Sequence, residues 1–143
     1  MKVIGLKFGS DVQAEITLDE VAAPATAAAL WDALPITDRA IQARWSGNAW
    51  RTEKNYELLP DGSPIENVTE RLVAGDVIYY PNYEIGLIKI AVCYGQAQWL
   101  GPYMLPRQVA KIGAVTSGLD ELTAASKRLI FDGAETFEMT RIG

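Results

Sequence analysis

The sequence predicts a mainly β domain: a closed barrel of about eight strands with two helices covering its open ends. Short runs of strand length recur along the chain, and turn residues separate them. Only two segments have a helical period, and strand runs stand on both sides of each helix. This order differs from the alternating strands and helices of a doubly wound sheet. Many short strands with regular turns are typical of barrels and sandwiches.

A hairpin and a helix are predicted at the start of the chain. Residues 2–8 and 12–18 have strand patterns, and Gly9-Ser10 between them is typical of a tight turn. Apolar residues alternate strictly through 12–18, which indicates a strand with one buried face. Residues 23–35 change to a helical period, with one stripe formed by Ala27, Leu30, Trp31 and Leu34.

The middle of the chain predicts five further strands, at residues 39–45, 49–59, 77–81, 86–95 and 111–117. Residues 67–73 have no clear period. The run 86–95 is almost continuously apolar and is predicted to be a central strand. Within it, Cys93 is predicted to be a buried structural residue rather than a nucleophile. Lys89, the only charged residue of the run, is predicted to be structural, at a barrel end or pointing outward.

The last third of the chain combines a long loop, a helix and a strand. Residues 118–130 form the second predicted helix, and residues 134–142 form the last predicted strand. Before them, residues 96–110 have no periodicity and contain Trp99 and Tyr103. Connections of this length are uncommon in compact domains and are frequently functional.

Length and composition indicate one acidic domain over residues 1–143. The formal net charge is −5 and no basic run is present, which argues against nucleic acid and anionic membrane surfaces as partners. No apolar run approaches the roughly 18 residues of a membrane span, and the first residues lack a secretion-signal pattern. With a single cysteine, the sequence predicts a cytoplasmic protein without an internal disulfide.

The absence of histidine removes several kinds of site. Common hydrolytic triads and cysteine–histidine pairs need that residue, and zinc most often uses it as its nitrogen ligand. One cysteine cannot form a thiolate metal site, and no glycine-rich phosphate loop joins a strand to a helix. We therefore expect neither a metal nor a cofactor.

Ligand binding is predicted for a groove on the side of the barrel. The predicted lining residues are Arg44, Trp50, Tyr94, Trp99 and Tyr103. Trp99 stands in a loop rich in glycine and proline, where an aromatic side chain is either a ligand floor or an anchor packed on the barrel. Alternation in the strand 39–45 places Arg44 and Trp45 on opposite faces. We expect Trp45 to face the core and Arg44 therefore to face outward, as a carboxylate or amide anchor or as an ordinary solvated arginine.

Two blocks of the sequence resemble cyclophilins. The first is Pro24-Ala25-Thr26, at the start of the helix that follows the opening hairpin. The second runs over Tyr94, Trp99-Leu100-Gly101, Ile112-Gly113-Ala114-Val115 and Gly118-Leu119-Asp120. It is similar to the cyclophilin series of a strand ending in aromatics, a Trp-Leu loop, a Phe-Gly-x-Val strand and a helix that begins at Gly-hydrophobic-Asp. The order of elements matches over most of the chain, and the residues match over about a third of it.

The resemblance implies a closed eight-stranded barrel with helices at its ends. In cyclophilins, a Phe-His-Arg strand followed by Gly-Phe-Met-x-Gln-Gly-Gly forms the prolyl isomerase site. The corresponding segment here is AIQARWSGNAWR (residues 40–51), in which Arg44 and Gly47 remain and the Phe, Met and Gln are not reproduced. The shorter chain is similar to the small bacterial cyclophilin-like proteins that are grouped as domains of unknown function, and we do not expect a typical isomerase.

Three functions follow as hypotheses. The first is a binding module that holds a small anionic or amide-bearing ligand, or a peptide, in the groove. The second is an enzyme, either a weak peptidyl-prolyl isomerase or an enzyme acting on an amide or lactam metabolite, the latter by analogy between folds. The third is a structural subunit of a homo-oligomer with the tryptophans at its interface. The sequence leaves open whether the protein is an enzyme.

Overall fold

The computed structural model describes residues 1–143, with the exception of the Pro102 side chain. Its strands are β1 (Val3–Phe8), β2 (Val12–Leu18), β3 (Ile36–Gln42), β4 (Gly47–Thr52), β5 (Val68–Thr69), β6 (Arg71–Leu72), β7 (Asp76–Asn82), β8 (Leu87–Gln98), β9 (Val109–Ser117) and β10 (Glu135–Arg141). Its helices are α1 (Pro24–Ala33), α2 (Leu119–Lys127) and the short α3 (Leu129–Asp132), and Pro102–Met104 form one turn of 3-10 helix.

Eight of the strands form a closed antiparallel barrel. Their order is β1-β10-β3-β4-β8-β7-β9-β2, and β2 pairs with β1 again. The pairing of β2 with β9, in which Leu18 lies opposite Gly113, closes the ring. The two-residue strands β5 and β6 lie off this ring and pair with β9 and β8. The predicted barrel of about eight strands is confirmed.

Alternate residues of each strand point into the barrel and form its interior core. On β8 this core includes Ile88, Ile90, Val92 and Tyr94. Helices α1 and α2 add Leu30 and Leu122 to the same core, which confirms the two covering helices. Among the described residues, no helix has both the length and the apolar composition that crossing a bilayer requires.

A second apolar cluster covers the outer face of the wall formed by β4, β8 and β7. Its buried members are Ala43, Ala49, Leu72, Ile78, Tyr80, Ala91, Cys93, Trp99 and Val109. The loop after β8 folds back over this wall, and its Trp99 ring lies 5.5 Å from the Tyr80 ring. The wall is therefore buried on both faces, which explains the continuous apolar run of β8. Cys93 is buried there, as predicted.

Several predicted elements differ from the structure in their bounds, among them the strand 39–45, which is observed at Ile36–Gln42. The predicted strand 49–59 ends at Thr52, because Tyr56 and Leu58 pack on the core from a loop rather than from a strand. The predicted helix 118–130 is divided at Arg128 into α2 and α3. The predicted loop 96–110 is shortened to residues 99–108, because β8 and β9 extend into it.

Candidate functional site

The structure places Trp50 and Tyr94 inside the barrel. Trp50 is completely buried between Phe8 and Phe137, whose ring centroids lie 5.4 and 5.0 Å from its own. The Tyr94 hydroxyl donates a hydrogen bond to Oε1 of Gln42 at 2.6 Å. Both side chains belong to the interior core, on the other side of the sheet from Trp99. The five residues predicted to bind ligand are therefore not brought into one groove.

Arg44 and Tyr103 are both exposed, and Tyr103 is 93% accessible to solvent. The expectation that Trp45 belongs to the core is wrong, since 42% of its surface is exposed. Strand β3 ends at Gln42, so the alternation that placed Trp45 inward stops before it reaches this residue. A turn takes its place, in which Ser46 N donates to Ala43 O at 2.9 Å.

One groove lies on the outer wall of the barrel, with a volume of about 340 Å³. Its apolar lining consists of Trp45, Tyr80, Ile85, Leu87, Trp99, Leu100 and Met104, together with Gly101. Two cations, Arg51 and Lys89, complete the lining. We call this site the outer groove. Of the five predicted residues, only Trp99 lines it.

The strands determine which side chains enter the outer groove. Trp50 of β4 points inward, so its neighbour Arg51 points outward. In the same way Lys89 lies on the outer face of β8, between the inward-facing Ile88 and Ile90. The pairing of β7 with β8 sets Lys89 opposite Tyr80. Trp45 comes from the turn before β4 and Trp99 from the loop after β8, so loops supply much of the rim.

Lys89 is buried and Arg51 is half-buried, and the two cations use their hydrogen bonds differently. Lys89 is only 5% exposed, and its Nζ donates to the backbone carbonyl of Glu53 at 2.6 Å. Arg51 is partly buried; its Nη1 donates to the carbonyl of Thr52 at 3.0 Å, and its buried Nε has no partner among the described atoms. An unpaired buried donor is uncommon in folded proteins and calls for an explanation.

The outer groove brings together two positive charges that form no ion pair with a described side chain, although Asp38 and Glu53 lie near enough to act on both. The ion pairs of the described side chains are Lys2–Glu20, Arg39–Glu53 and Lys111–Asp76, and neither groove cation takes part in one. Burial lowers the pKa of Arg51 below its usual value. Burial also lowers the pKa of Lys89, and the nearby charge of Arg51 lowers it further, while Asp38 and Glu53 act in the opposite direction. The base of the groove therefore favours an anion.

Other parts of the structure offer weaker candidates. A cavity of about 220 Å³ lies beside residues 59–66 and includes Glu66. The Glu66 carboxylate already accepts hydrogen bonds from Thr26 N and Thr26 Oγ1, both at 2.7 Å, near the start of α1. Within the described part of the chain, no group of three or more metal-ligating side chains is placed to hold a metal ion.

The position of Arg51 on the outer face can be predicted from the sequence. If Trp50 is buried, alternation along β4 puts Arg51 on the outer face. What the sequence does not indicate is that the loop after β8 returns to build a groove on that face. Lys89 does point outward, as one of its predicted placements has it. The sequence indicates only a structural role for Lys89, because it does not show that this loop forms a groove there.

Two solved structures share the fold. McbB in complex with tryptophan matches with a TM-score of 0.63 and 18% identity, over 98% of this chain and 45% of that one. The chain thus spans less than half of McbB. The solution structure of the hypothetical protein AF2241 from Archaeoglobus fulgidus matches with a TM-score of 0.56 and 22% identity, over 99% of this chain and 95% of that one. At these identities the likeness concerns the fold.

The sequence comparisons point to one family. No curated protein matches the chain. The family described as Protein of unknown function (DUF3830) matches residues 6–141, which is nearly the whole chain. This match confirms the predicted relation to a family of small barrels of unknown function. The chain belongs to the DUF3830 family.

Proposed function

We propose that the protein binds a small carboxylate with an apolar, aromatic body in the outer groove. One observation carries the proposal: the buried Lys89 and the half-buried Arg51 line an otherwise apolar groove, and neither forms an ion pair with a described side chain. Charge buried without a partner destabilises a protein, whereas an incoming carboxylate would neutralise it. The arrangement is therefore more favourable with an anion bound than without one.

The hydrogen-bonding capacity of the two cations supports a carboxylate in particular. The guanidinium of Arg51 has five N–H donors, of which Nη1 is engaged with Thr52 O and Nε is unpaired. Lys89 uses one hydrogen bond on Glu53 O, so further N–H groups are available. A planar carboxylate can accept from both side chains at once, and such charge-assisted bonds are among the stronger hydrogen bonds in proteins.

The walls of the groove support an aromatic body. Trp45, Tyr80 and Trp99 present ring surfaces, and aromatic rings gain from stacking beyond the area that they bury. A volume of about 340 Å³ lies within the range of small-molecule sites. McbB, which shares the fold, was solved with tryptophan, itself an aromatic carboxylate, and this guides the choice of probes.

Isothermal titration with indole-3-propionate and with its neutral amide tests the proposal. We expect the acid to bind at least about tenfold more tightly than the amide, since a lost charge-assisted hydrogen bond costs about 1.5–3 kcal/mol. The substitution Arg51→Met should weaken binding of the acid and leave the amide unchanged. Arg39→Met is the matched control, because Arg39 is exposed on the neighbouring strand and pairs with Glu53. Equal affinity for acid and amide would overturn the proposal.

Further assays on the purified protein test the other two hypotheses, an enzyme and a subunit of a homo-oligomer. A prolyl-peptide isomerisation assay at high protein concentration addresses weak isomerase activity, and light scattering addresses a homo-oligomer. A peptide or an amide ligand is expected to compete with indole-3-propionate if it uses the same groove. The cytoplasmic location stays part of the proposal, and the single buried Cys93 supports it.

A further inference from the structure

We propose that Lys89 is a nucleophilic amine, which forms an imine with the carbonyl carbon of a 2-oxo acid bound in the outer groove. The inference rests on the proposed function, because Arg51 would hold the carboxylate of that acid beside Lys89. It extends the function from binding to covalent chemistry and limits the ligand to carboxylates with an adjacent carbonyl group.

The position of Lys89 is the first argument. Lysine is rarely buried in folded proteins unless it has an acidic partner. Lys89 is 5% exposed, lies among the apolar side chains of the outer groove, and has a backbone carbonyl as its acceptor. The other lysines differ: Lys2 and Lys111 are paired with Glu20 and Asp76, and Lys7, Lys54 and Lys127 are exposed. Lys89 thus combines burial, lack of an acid and contact with a cavity.

The environment of Lys89 also favours its reactive form. Only a neutral amine attacks a carbonyl, and enzymes activate lysine by desolvation or by a neighbouring cation. Both conditions are present: burial and the charge of Arg51 lower the pKa of Lys89, against the opposing charges of Asp38 and Glu53. The carbonyl of Glu53 accepts one N–H and leaves the nitrogen lone pair free once the amine is neutral. Lys54, an exposed lysine, lies outside this groove.

The chemical step balances without any further reagent. The neutral Nζ attacks the carbonyl carbon: a carbon–nitrogen bond forms, the carbon–oxygen π bond breaks, and one proton passes from the nitrogen to the oxygen to give a neutral carbinolamine. Loss of that hydroxyl group as water, with a proton from the solvent at the groove mouth, leaves a protonated imine on Lys89. No electron is transferred to or from an outside group. The positive imine next to the carboxylate withdraws electrons from the neighbouring carbon atoms of the acid.

Trapping with phenylpyruvate and sodium cyanoborohydride tests the inference. Reduction makes the adduct permanent, and its mass equals that of phenylpyruvic acid less one oxygen atom. We expect intact-mass spectrometry to show one adduct per chain, and peptide mapping to place it on Lys89 at least tenfold above any other lysine. Lys89→Arg, which keeps the charge and removes the amine, should abolish the adduct. Lys54→Arg, the matched control, should leave it unchanged.

Three outcomes overturn the inference, and each is distinct from failure of the proposed function. Labelling spread evenly over the exposed lysines, or no labelling at all, excludes a special role for Lys89; mapping of the unaltered protein shows this even if Lys89→Arg fails to fold. If 3-phenylpropionate, which has no carbonyl, still binds through Arg51, the proposed function survives that result. An adduct on Lys89 that neither 3-phenylpropionate nor Arg51→Met reduces would instead overturn the assignment of 2-oxo acids as substrates.

Discussion

Replacing Arg51 by methionine should stabilise the protein while it weakens ligand binding. Arg51 stands on a barrel strand, partly buried, with an unpaired Nε and no acidic partner among the described side chains. Methionine has a similar length, suits irregular apolar sites, and needs no hydrogen-bond partner. A change that improves folding and impairs binding is expected where a residue is retained for its ligand.

The magnitude follows from the contacts of Arg51. Removing the unpaired, buried Nε relieves about 2 kcal/mol, and removing the partly desolvated charge adds about 1 kcal/mol. The lost hydrogen bond from Nη1 to the carbonyl of Thr52 opposes this by about 1.5–2 kcal/mol. The net gain in the free energy of unfolding is about 1 kcal/mol. For 143 residues the unfolding entropy is about 0.3 kcal/mol/K, so Tm should rise by about 3 °C.

Urea denaturation and thermal melting of Arg51→Met, without ligand, measure the effect. Arg39→Met is the control; it removes an exposed ion pair with Glu53 and should destabilise the protein by less than about 1 kcal/mol. If the free energy of unfolding of Arg51→Met is lower than that of the parent by 1 kcal/mol or more, Arg51 supports the fold and is not retained for a ligand.

Three further predictions concern the barrel. Cys93 is fully buried and should react with a thiol reagent only when the protein unfolds. The pKa of its thiol is about 9 in the unfolded chain, and burial raises that pKa to about 12 in the native state. Between these two pKa values the native state therefore holds more protons than the unfolded state. The free energy of unfolding should fall as the pH rises through this range, by up to about 1.4 kcal/mol per pH unit. Urea denaturation of Cys93→Ala over the same range should lack this component. Gly118→Ala should lower the free energy of unfolding by more than about 2 kcal/mol, because φ is 78° and a Cβ would lie 2.4 Å from a carbonyl oxygen of β2. Gly62 has φ 89° and open space around it, so Gly62→Ala should cost about 1 kcal/mol in thermal melts of both variants. Trp50→Ala should cost about 3–5 kcal/mol and Trp45→Ala less than about 1 kcal/mol; equal losses would contradict their assignment to core and rim.

Local patterns were enough to predict most of the barrel. The run 12–18 alternates, and the structure has a strand over the same residues, because one face of β2 packs on the core and the other does not. The pattern failed where apolar residues serve a loop. Tyr56 and Leu58 are half-buried because the segment after β4 returns to the barrel, with Tyr56 N donating to Ile88 O at 2.9 Å. Sequence alone does not distinguish such an anchoring loop from a strand.

The candidate site was predictable only in part, because it depends on contacts between distant segments. Trp99 could be recognised from its loop, and it does line the outer groove. Trp50 and Tyr94 were assigned to a groove on the strength of their aromatic rings, but strand alternation places both inside the barrel. Arg51 and Lys89 become site residues only when the loop after β8 covers the outer wall, and nothing in their own neighbourhood of the sequence indicates that return.

The outer groove has a floor and a rim of different construction. Arg51 and Lys89 stand on β4 and β8, neighbouring strands joined by a hydrogen-bonded ladder in a closed ring. The rim is built from the turn that carries Trp45 and from the loop that carries Met104, where φ is positive. Substitutions or insertions in these two loops can therefore change the shape of the rim without moving the two cations of the floor. In the proposed function, such changes would alter which ligand bodies the rim accepts, while the ligand carboxylate would still meet the same two cations.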